Sequence, residues 1–517
     1  MNKALGDFQT PPALVRAVLE SLSASGERWQ RVLEPTCGQG NFIKELVSLP
    51  TPPGEIQGIE LQDEYHRVAT QIEASASLTR INVLQANVFN LHFQRDLRWA
   101  GTGSLLVVGN PPWVTNSQLG SLESDNLPHK TNLKGLRGIE ALTGSSNFDV
   151  AESIWLKLIK ELADQQPTIS LLCKTSVARN VLEYASRTGL PISNASIRRI
   201  DAKKWFGAAV DACLFTVKVG ATLANYECAV YPSLASNEAD TVTGFAHGHP
   251  IANLDTYQRS AFMDGECTLA WRQGLKHDLV AVMELRHTIG GYRNKSGEVV
   301  DIEPEYIYPL LKSSDIYQSA LKSPRLSVIV TQQRIGQETK HLRHTAPKLW
   351  RYLTAHADLF ENRKSSIYLN QPPFCIFGIG DYSFAPYKVA IAGLSKTPRF
   401  WAIEPINGRP VMLDDTCYFV PCYSAEQATL LANLLNEPAC LDLLRSLIFS
   451  DSKRPVTKKL LQRIDVQALL KHVEPNPQIL DAKARLIKLG KPLMPAQQES
   501  QMTFFPPGES LLAPGAK

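Results

Sequence analysis

Two hydrophobic rhythms take turns along the first 220 residues. "PALVRAVLESL" (12–22), "NFIKELVSL" (41–49), "DEYHRVATQIEASA" (63–76) and "AESIWLKLIKELA" (151–163) carry apolar residues at helical spacing. Between them, "RVLE" (31–34), "EIQGIE" (55–60), "INVLQA" (81–86), "SLLVVG" (104–109), "TISLLCKT" (168–175), "ASIRRID" (195–201) and "DACLFTVKVG" (211–220) are short apolar runs that predict strands. Strands alternating with helices imply an α/β domain whose parallel sheet is covered on both faces, and such sheets bind ligands beyond the carboxyl ends of their strands. This domain is expected over 1–225. The stretch "YPSLASNEADTVTG" (231–244) reads as a linker, after which the alternation stops. Aromatic-rich short strands and Pro-broken loops predict a second, mainly β or mixed domain over 245–472. The Pro-rich tail, 473–517, is expected to be partly loose.

Three strand ends carry candidate chemistry. "LEPTCGQGNF" (33–42) closes a strand at Glu34 and puts Gly38 and Gly40 where a backbone would turn tightly against a ligand. The spacing is not G-x-G-x-x-G, and an ordinary strand-to-helix turn reads alike. "GIEL" places Glu60 where an acidic residue accepts hydrogen bonds from a ribose diol, so the two ends together predict an adenosine-containing cofactor. "VVGNPPW" (107–113) is less ordinary. Its two prolines fix the backbone, remove two N–H donors, and leave an amide and a large ring on a stiff ledge.

Composition narrows the setting. A chain of 517 residues exceeds what one core serves. Nine scattered cysteines without a C-x-x-C pair predict reduced thiols and no metal site. A net charge of +4 is too weak to demonstrate a polyanionic partner. The start "MNKALGDFQTPP" has no apolar signal core and no run has the length of a membrane span, so the expected location is cytoplasmic, away from any membrane.

"FQTPPALV", "VLEPTCGQGNF", "GIEL", "VLQANVF" and "VVGNPPW" occur in that order, followed by "SSNFDVAESIWLKL" (145–158), "ISLLCKTSVARN" (169–180) and "IRRIDAKKWFGAAVDACLFTVKV" (197–219). The set resembles motifs X, I to VI and the VII–VIII region of the γ-group adenine-N6 DNA methyltransferases of restriction–modification systems. Its specificity lies in order and spacing, because an N-P-P-aromatic tetrad also occurs in protein-glutamine and rRNA methyltransferases, which stand as the alternative. The resemblance implies a Rossmann-like class I methyltransferase domain followed by a DNA target-recognition domain, with S-adenosyl-L-methionine as cofactor. It implies double-stranded DNA as substrate, a separate cognate restriction endonuclease, and action as a monomer on DNA. By the same motifs Thr10, Glu34, Pro35, Gly38, Gly40, Glu60 and Asn87 would meet the cofactor. Asn110, Pro111, Pro112, Trp113 and Phe206 would serve catalysis, with Trp205 competing for the place of Phe206. One residue departs from the pattern: the family commonly has Asp where this chain has Asn87, whose amide oxygen accepts without charge assistance.

The chemistry explains the ledge. An exocyclic adenine nitrogen is a poor nucleophile because its lone pair is delocalised into the ring. In the family mechanism the Asn110 side-chain oxygen and the Pro111 carbonyl would accept its hydrogen bonds, localising the pair and stabilising the developing positive charge. A base inside a duplex must first be extruded, and Trp113 would then cover one face and Phe206 or Trp205 the other.

Local charge adds a partner signal. From Lys312 to Lys364 there are ten Lys/Arg against four Asp/Glu, including "KHLRH" (340–344) and "ENRKSS" (361–366), which predicts contact with a phosphate backbone. "FGIGDYSFAPYKVAIAGLSKTPRF" (377–400) and "DDTCYFV" (414–420) resemble target-recognition regions. A fused nuclease is not expected, because motif X begins by residue 8 and no metal-holding carboxylate pattern stands out in the second half.

Overall fold

Seven strands form in the computed structural model within three residues of their expected bounds: β1 (Arg31–Glu34), β2 (Glu55–Glu60), β3 (Arg80–Gln85), β4 (Leu105–Gly109), β5 (Thr168–Lys174), β6 (Ile192–Ile200) and β7 (Ala212–Val219). The structure describes residues 9–24, 26–72, 78–114, 149–220, 222–319 and 321–488. Two units are distinguished, 1–255 and 256–517. The described helices of the first are α1 (Pro12–Ser23), α2 (Asn41–Val47), α3 (Asp63–Thr70), α4 (Phe93–Asp96), α5 (Val150–Leu162), α6 (Thr175–Thr188) and α7 (Ala202–Phe206), with Leu254 and Asp255 opening a helix at the boundary. Helix α6 had not been expected. It buries Val177, Ala178, Val181, Leu182 and Ala185 on one face, a stripe at helical spacing.

The sheet of this unit continues into β8 (Cys228–Tyr231), β9 (Thr241–Ala246) and β10 (His249–Ile251), in the order β10-β9-β8-β6-β7-β5-β4-β1-β2-β3. Strands β3, β2, β1, β4 and β5 are parallel, as the alternation predicts. The expectation of parallel pairing does not extend to β7, which lies antiparallel between β5 and β6. The link from β6 to β7 carries only the five-residue α7, too short a crossover for a parallel return. The linker reading of 231–244 also needs correction, because β9 pairs antiparallel with β8, Cys228 facing Thr243. Its weak alternation and polar flanks hid a strand that only its neighbours stabilise. The first unit accordingly runs to Asp255 instead of residue 225.

Side-chain alternation along β4 divides the core. Leu105 and Val107 join Trp155 and Phe215 on one face, whereas Leu106 and Val108 join Leu14, Phe42 and Trp113 on the other. Trp155 and Phe215 pack with ring centroids 4.6 Å apart. Truncating such a buried Trp to Ala costs about 3–5 kcal/mol.

The second unit is built from short strands. One sheet joins β11 (Arg272–Gln273), β20 (Cys417–Cys422), β17 (Tyr387–Ala392) and β18 (Phe400–Ile403). The other joins β14 (Val299–Val300), β13 (Gly291–Asn294), β12 (Glu284–Thr288), β16 (Leu326–Ile329), β15 (Ile307–Leu311) and β19 (Met412–Leu413). Helices such as Ala425–Leu435 and Pro438–Leu447 follow, so the unit is mixed. The stretch expected as a loose tail includes the helix Pro477–Lys488. Pro477 stands at its first position, where a proline costs no hydrogen bond. No described helix is long and apolar enough to cross a membrane.

Candidate active site

Parallel pairing puts the ends of β1, β2, β3, β4 and β5 on one edge of the sheet, and the strand order reverses direction between β1 and β4. A cavity of about 250 Å³ opens there, where open α/β sheets bind ligands. It is lined by Thr10, Glu34, Pro35, Gly38, Glu60, Asn87, Asn110 and Pro112, with Gln9, Asn41, Tyr65, Phe89 and Ile154 among the other walls. Gly40, Pro111, Trp113 and Phe206 are outside that lining.

The loop after β1 is held by its own backbone. Cys37 N–H donates to Ile59 O at 2.8 Å and Gly40 N–H to Cys37 O at 2.8 Å. Gly38 and Gly40 both have positive φ, 53° and 76°, at which a side chain is strained. A Cβ at Gly38 would meet the Gln9 amide at 2.7 Å, and one at Gly40 would meet Ile72 at 2.5 Å. Gly40 therefore serves the packing of the turn, whereas Gly38 faces the cavity. The segment before α1 is tied to the same loop: Gln39 N–H donates to Gln9 Oε1 at 3.2 Å and Asn41 Nδ2 to Thr10 O at 2.9 Å.

Two buried carboxylates set the electrostatics. Glu60 accepts from Gly38 N–H at 2.8 Å and Gln62 N–H at 2.7 Å, which fixes its carboxylate on the cavity wall. Burial, and then the nearby Glu60 charge, push the Glu34 carboxyl well above the usual range. Glu34 Oε2 and Thr36 Oγ1 are buried with no hydrogen-bond partner among the described residues. Buried polar atoms left in this condition on a cavity wall fit a site that a polar, cationic ligand completes. S-adenosylmethionine, with its sulfonium, ammonium and ribose diol, has that chemistry. Asn87 fits less simply, because its Oδ1 already accepts from Phe89 N–H at 3.0 Å, which uses one of the two lone pairs of that oxygen.

At the end of β4, Asn110 and Pro112 are half-buried towards the cavity, while Pro111 and Trp113 are buried. Trp113 Nε1 donates to Leu172 O at 3.3 Å. Its ring meets Phe206 edge-on, centroids 5.1 Å apart at 74°. The two rings touch instead of standing apart, so no base lies between them in this arrangement. Trp205 is half-buried, with Lys204 Nζ over its ring at 4.8 Å.

The motifs assign no role to Asp149 or Lys174. Asp149 caps α5, its Oδ1 accepting from Ala151 N–H at 3.0 Å, and its Oδ2 accepts from Lys174 Nζ at 2.7 Å. Val150 N–H donates to Val114 O at 2.9 Å. This brace fixes the start of α5 and the end of β5 beside the ledge. An Asp directly before an apolar-periodic run is an N-cap signal, and it was available in the sequence. Residues 1–8 and 115–148, which include part of motif X and the start of motif V, lie outside the described residues.

In the second unit the basic segment divides. Lys340, Arg343 and Lys364 are exposed. Arg363 turns inward, where its Nη1 donates to Cys375 O at 2.8 Å and its guanidinium lies 3.5 Å from the Tyr368 ring centroid. It holds a loop together and is committed before any phosphate arrives.

No family model matches the chain. Over 467 residues it is 36% identical to the type II methyltransferase M.NspV of Nostoc sp., covering 90% of this chain and 97% of that relative. A 114-residue stretch is 30% identical to the modification methylase CviBIII of Paramecium bursaria Chlorella virus NC1A, covering 21% of this chain and 26% of that one. The solved structure of the type IIL restriction–modification enzyme MmeI in complex with DNA resembles it with a TM-score of 0.52 at 13% identity, over 92% of this chain and 73% of that one.

Proposed function

The chain belongs to the type II methyltransferases of restriction–modification systems, and on that premise we propose that it methylates N6 of adenine at a specific site in duplex DNA, using S-adenosylmethionine. The observation that carries the adenine assignment is the Asn110-Pro111-Pro112-Trp113 ledge at the mouth of a cavity walled by Glu34 and Glu60. An amide oxygen and a fixed carbonyl are two acceptors, and an exocyclic amino group offers two protons. S-adenosylmethionine supplies an electrophilic methyl on sulfur.

The chain's own residues do the rest. Glu60 would accept from a ribose diol, and Glu34 lies where a cationic ligand would favour its ionised form. Asn110 Oδ1 and Pro111 O would accept from the amino group and so localise its lone pair, and their dipoles would stabilise the charge that grows on nitrogen. Asp149 and Lys174 keep the ledge in register. The full length of the match to M.NspV disfavours the protein-glutamine and rRNA alternative. A separate endonuclease of the same specificity, and monomeric action on DNA, complete the reading.

The test is direct. Protein incubated with labelled S-adenosylmethionine and unmethylated genomic DNA, followed by digestion to nucleosides, should leave the label in N6-methyladenine. Label in a methylcytosine would remove the adenine assignment.

A further inference from the structure

Strands β12 and β13 form a hairpin whose root and tip are built differently. At the root Leu285 is buried, and its partner Asn294 donates to Glu298 Oε2 at 2.8 Å and Tyr352 Oη at 3.0 Å. Tyr292 packs on the core and meets His287 edge-on at 5.3 Å. The root is therefore rigid. The tip is closed by Thr288 Oγ1, which donates to Gly291 O at 2.9 Å.

Thr288 pairs with Gly291, so the loop is the two residues Ile289 and Gly290, and Ile289 is fully exposed. Two-residue hairpin loops favour Gly, Asn or Asp. A β-branched apolar side chain at the tip gains nothing from folding. At the third pair below the loop, Arg286 stands directly opposite Arg293, both exposed. Like charges in that register repel. Arg293 Nη1 donates to Gly297 O at 2.7 Å, but among the described residues no carboxylate forms an ion pair with either arginine. The contrast with neighbouring cations is sharp: Lys312 pairs with Glu284, Arg325 with Asp315 and Lys348 with Asp301. An exposed wedge above two repelling guanidinium groups is costly alone and complementary to a polyanion that has a groove.

We propose that the Glu284–Asn294 hairpin is a duplex-DNA probe, in which Arg286 and Arg293 grip backbone phosphates and Ile289 presses against a base step. Phosphate contacts position a protein on the duplex, and apolar side chains of this kind wedge between base steps. The inference rests on the DNA-methyltransferase reading and adds the surface that engages the substrate.

The experiment uses the full chain and a long duplex DNA fragment of unmethylated genomic origin. Binding is titrated against salt, and methylation kinetics are measured on the same fragment. The Arg286→Gln/Arg293→Gln double variant should lower the slope of log affinity against log salt by about 1.8, close to 0.9 per phosphate lost. Its thermal midpoint should stay level or rise, because a repulsion has gone. Ile289→Ala should leave the slope unchanged and raise KM for DNA about tenfold. The Arg286→Lys/Arg293→Lys variant, which keeps the charge, should restore most of the slope and so excludes a folding artefact. Unchanged slope and KM in the Gln and Ala variants, with wild-type methylation intact, would overturn the hairpin proposal and leave the function standing. A wild type that transfers no methyl to any DNA, while its binding slope still falls in the Gln variant, would overturn the function and leave the hairpin as a DNA contact.

Discussion

The cavity wall of the first unit and the interior of the second complete their buried charges differently. In the first, Glu34 and Glu60 sit at strand ends on a cavity wall, and an oxygen of Glu34 is left without a described partner. In the second, the buried charges are answered from within: Arg463 grips Asp264 through two contacts of 2.8 and 2.5 Å, and Glu284 accepts from Lys312 Nζ at 2.6 Å. Lys388, fully buried in β17, gives one hydrogen bond to Ala385 O at 2.8 Å, and burial pushes its ammonium down to about 7. The difference separates sites from scaffolds. A charge left incomplete at a strand end awaits a ligand, whereas one completed inside a sheet specifies the fold.

The largest effect should come from the ledge. Asn110→Ala removes the acceptor proposed for the transition state, so methyl transfer should fall by about 10²–10³-fold while cofactor binding holds, read by single-turnover kinetics beside calorimetry. Near-normal turnover would take Asn110 out of the mechanism and blur the contrast between the units. Arg463→Ala should act on stability instead. It takes the cation away from the buried Asp264 carboxylate, to which Tyr257 Oη still donates at 2.6 Å, and this costs about 3–5 kcal/mol, measurable by urea unfolding, with any retained cofactor binding assigned to the first unit. A loss well below that range would show the second unit to be less dependent on its internal pairs.

Glu34 gives the pH test. Its folded pKa lies above the ordinary value, so the folded protein binds more protons than the unfolded chain in the window above the usual carboxylate range. Its contribution to stability is therefore lost as pH rises through that window. A cationic cofactor favours the carboxylate, so affinity for S-adenosylmethionine should rise across the same window, with proton release on binding. Glu34→Gln should flatten that dependence and weaken binding about tenfold. An unchanged pH profile would remove Glu34 from the cofactor site.

The smallest effect is expected at Lys388. Its folded pKa near 7 lies below the ordinary lysine value, so the unfolded chain binds more protons between about 7 and 10.4 and wild-type stability rises with pH there. Lys388→Met should therefore raise the thermal midpoint, more at pH 6 than at pH 9. A uniform drop instead would mean that the bond to Ala385 outweighs the desolvation cost.

The parallel half of the sheet was legible because its signal is local. Apolar runs such as "LLVVG" bury on both faces and cannot do otherwise, and the motifs at their ends fall together once the strands are parallel. Strand β9 was not legible, since "TVTGFA" gains its place only from β8 and β10. Arg363 reads in the sequence as one more surface cation, yet Tyr368 and Cys375, five and twelve residues further on, draw it inward.

Residue types and their order alone fixed the α/β class, the cofactor end of the sheet and the Asn110 ledge, because each depends on spacing along one strand or one turn. Tertiary structure decided what depends on register between strands. It set Trp113 against Phe206 ring to ring, closed the Asp149–Lys174 brace, and brought Arg286 opposite Arg293. Side-chain direction reverses with every residue of a strand, so a pairing shifted by one place would have undone that juxtaposition, and no local pattern reports the pairing in advance.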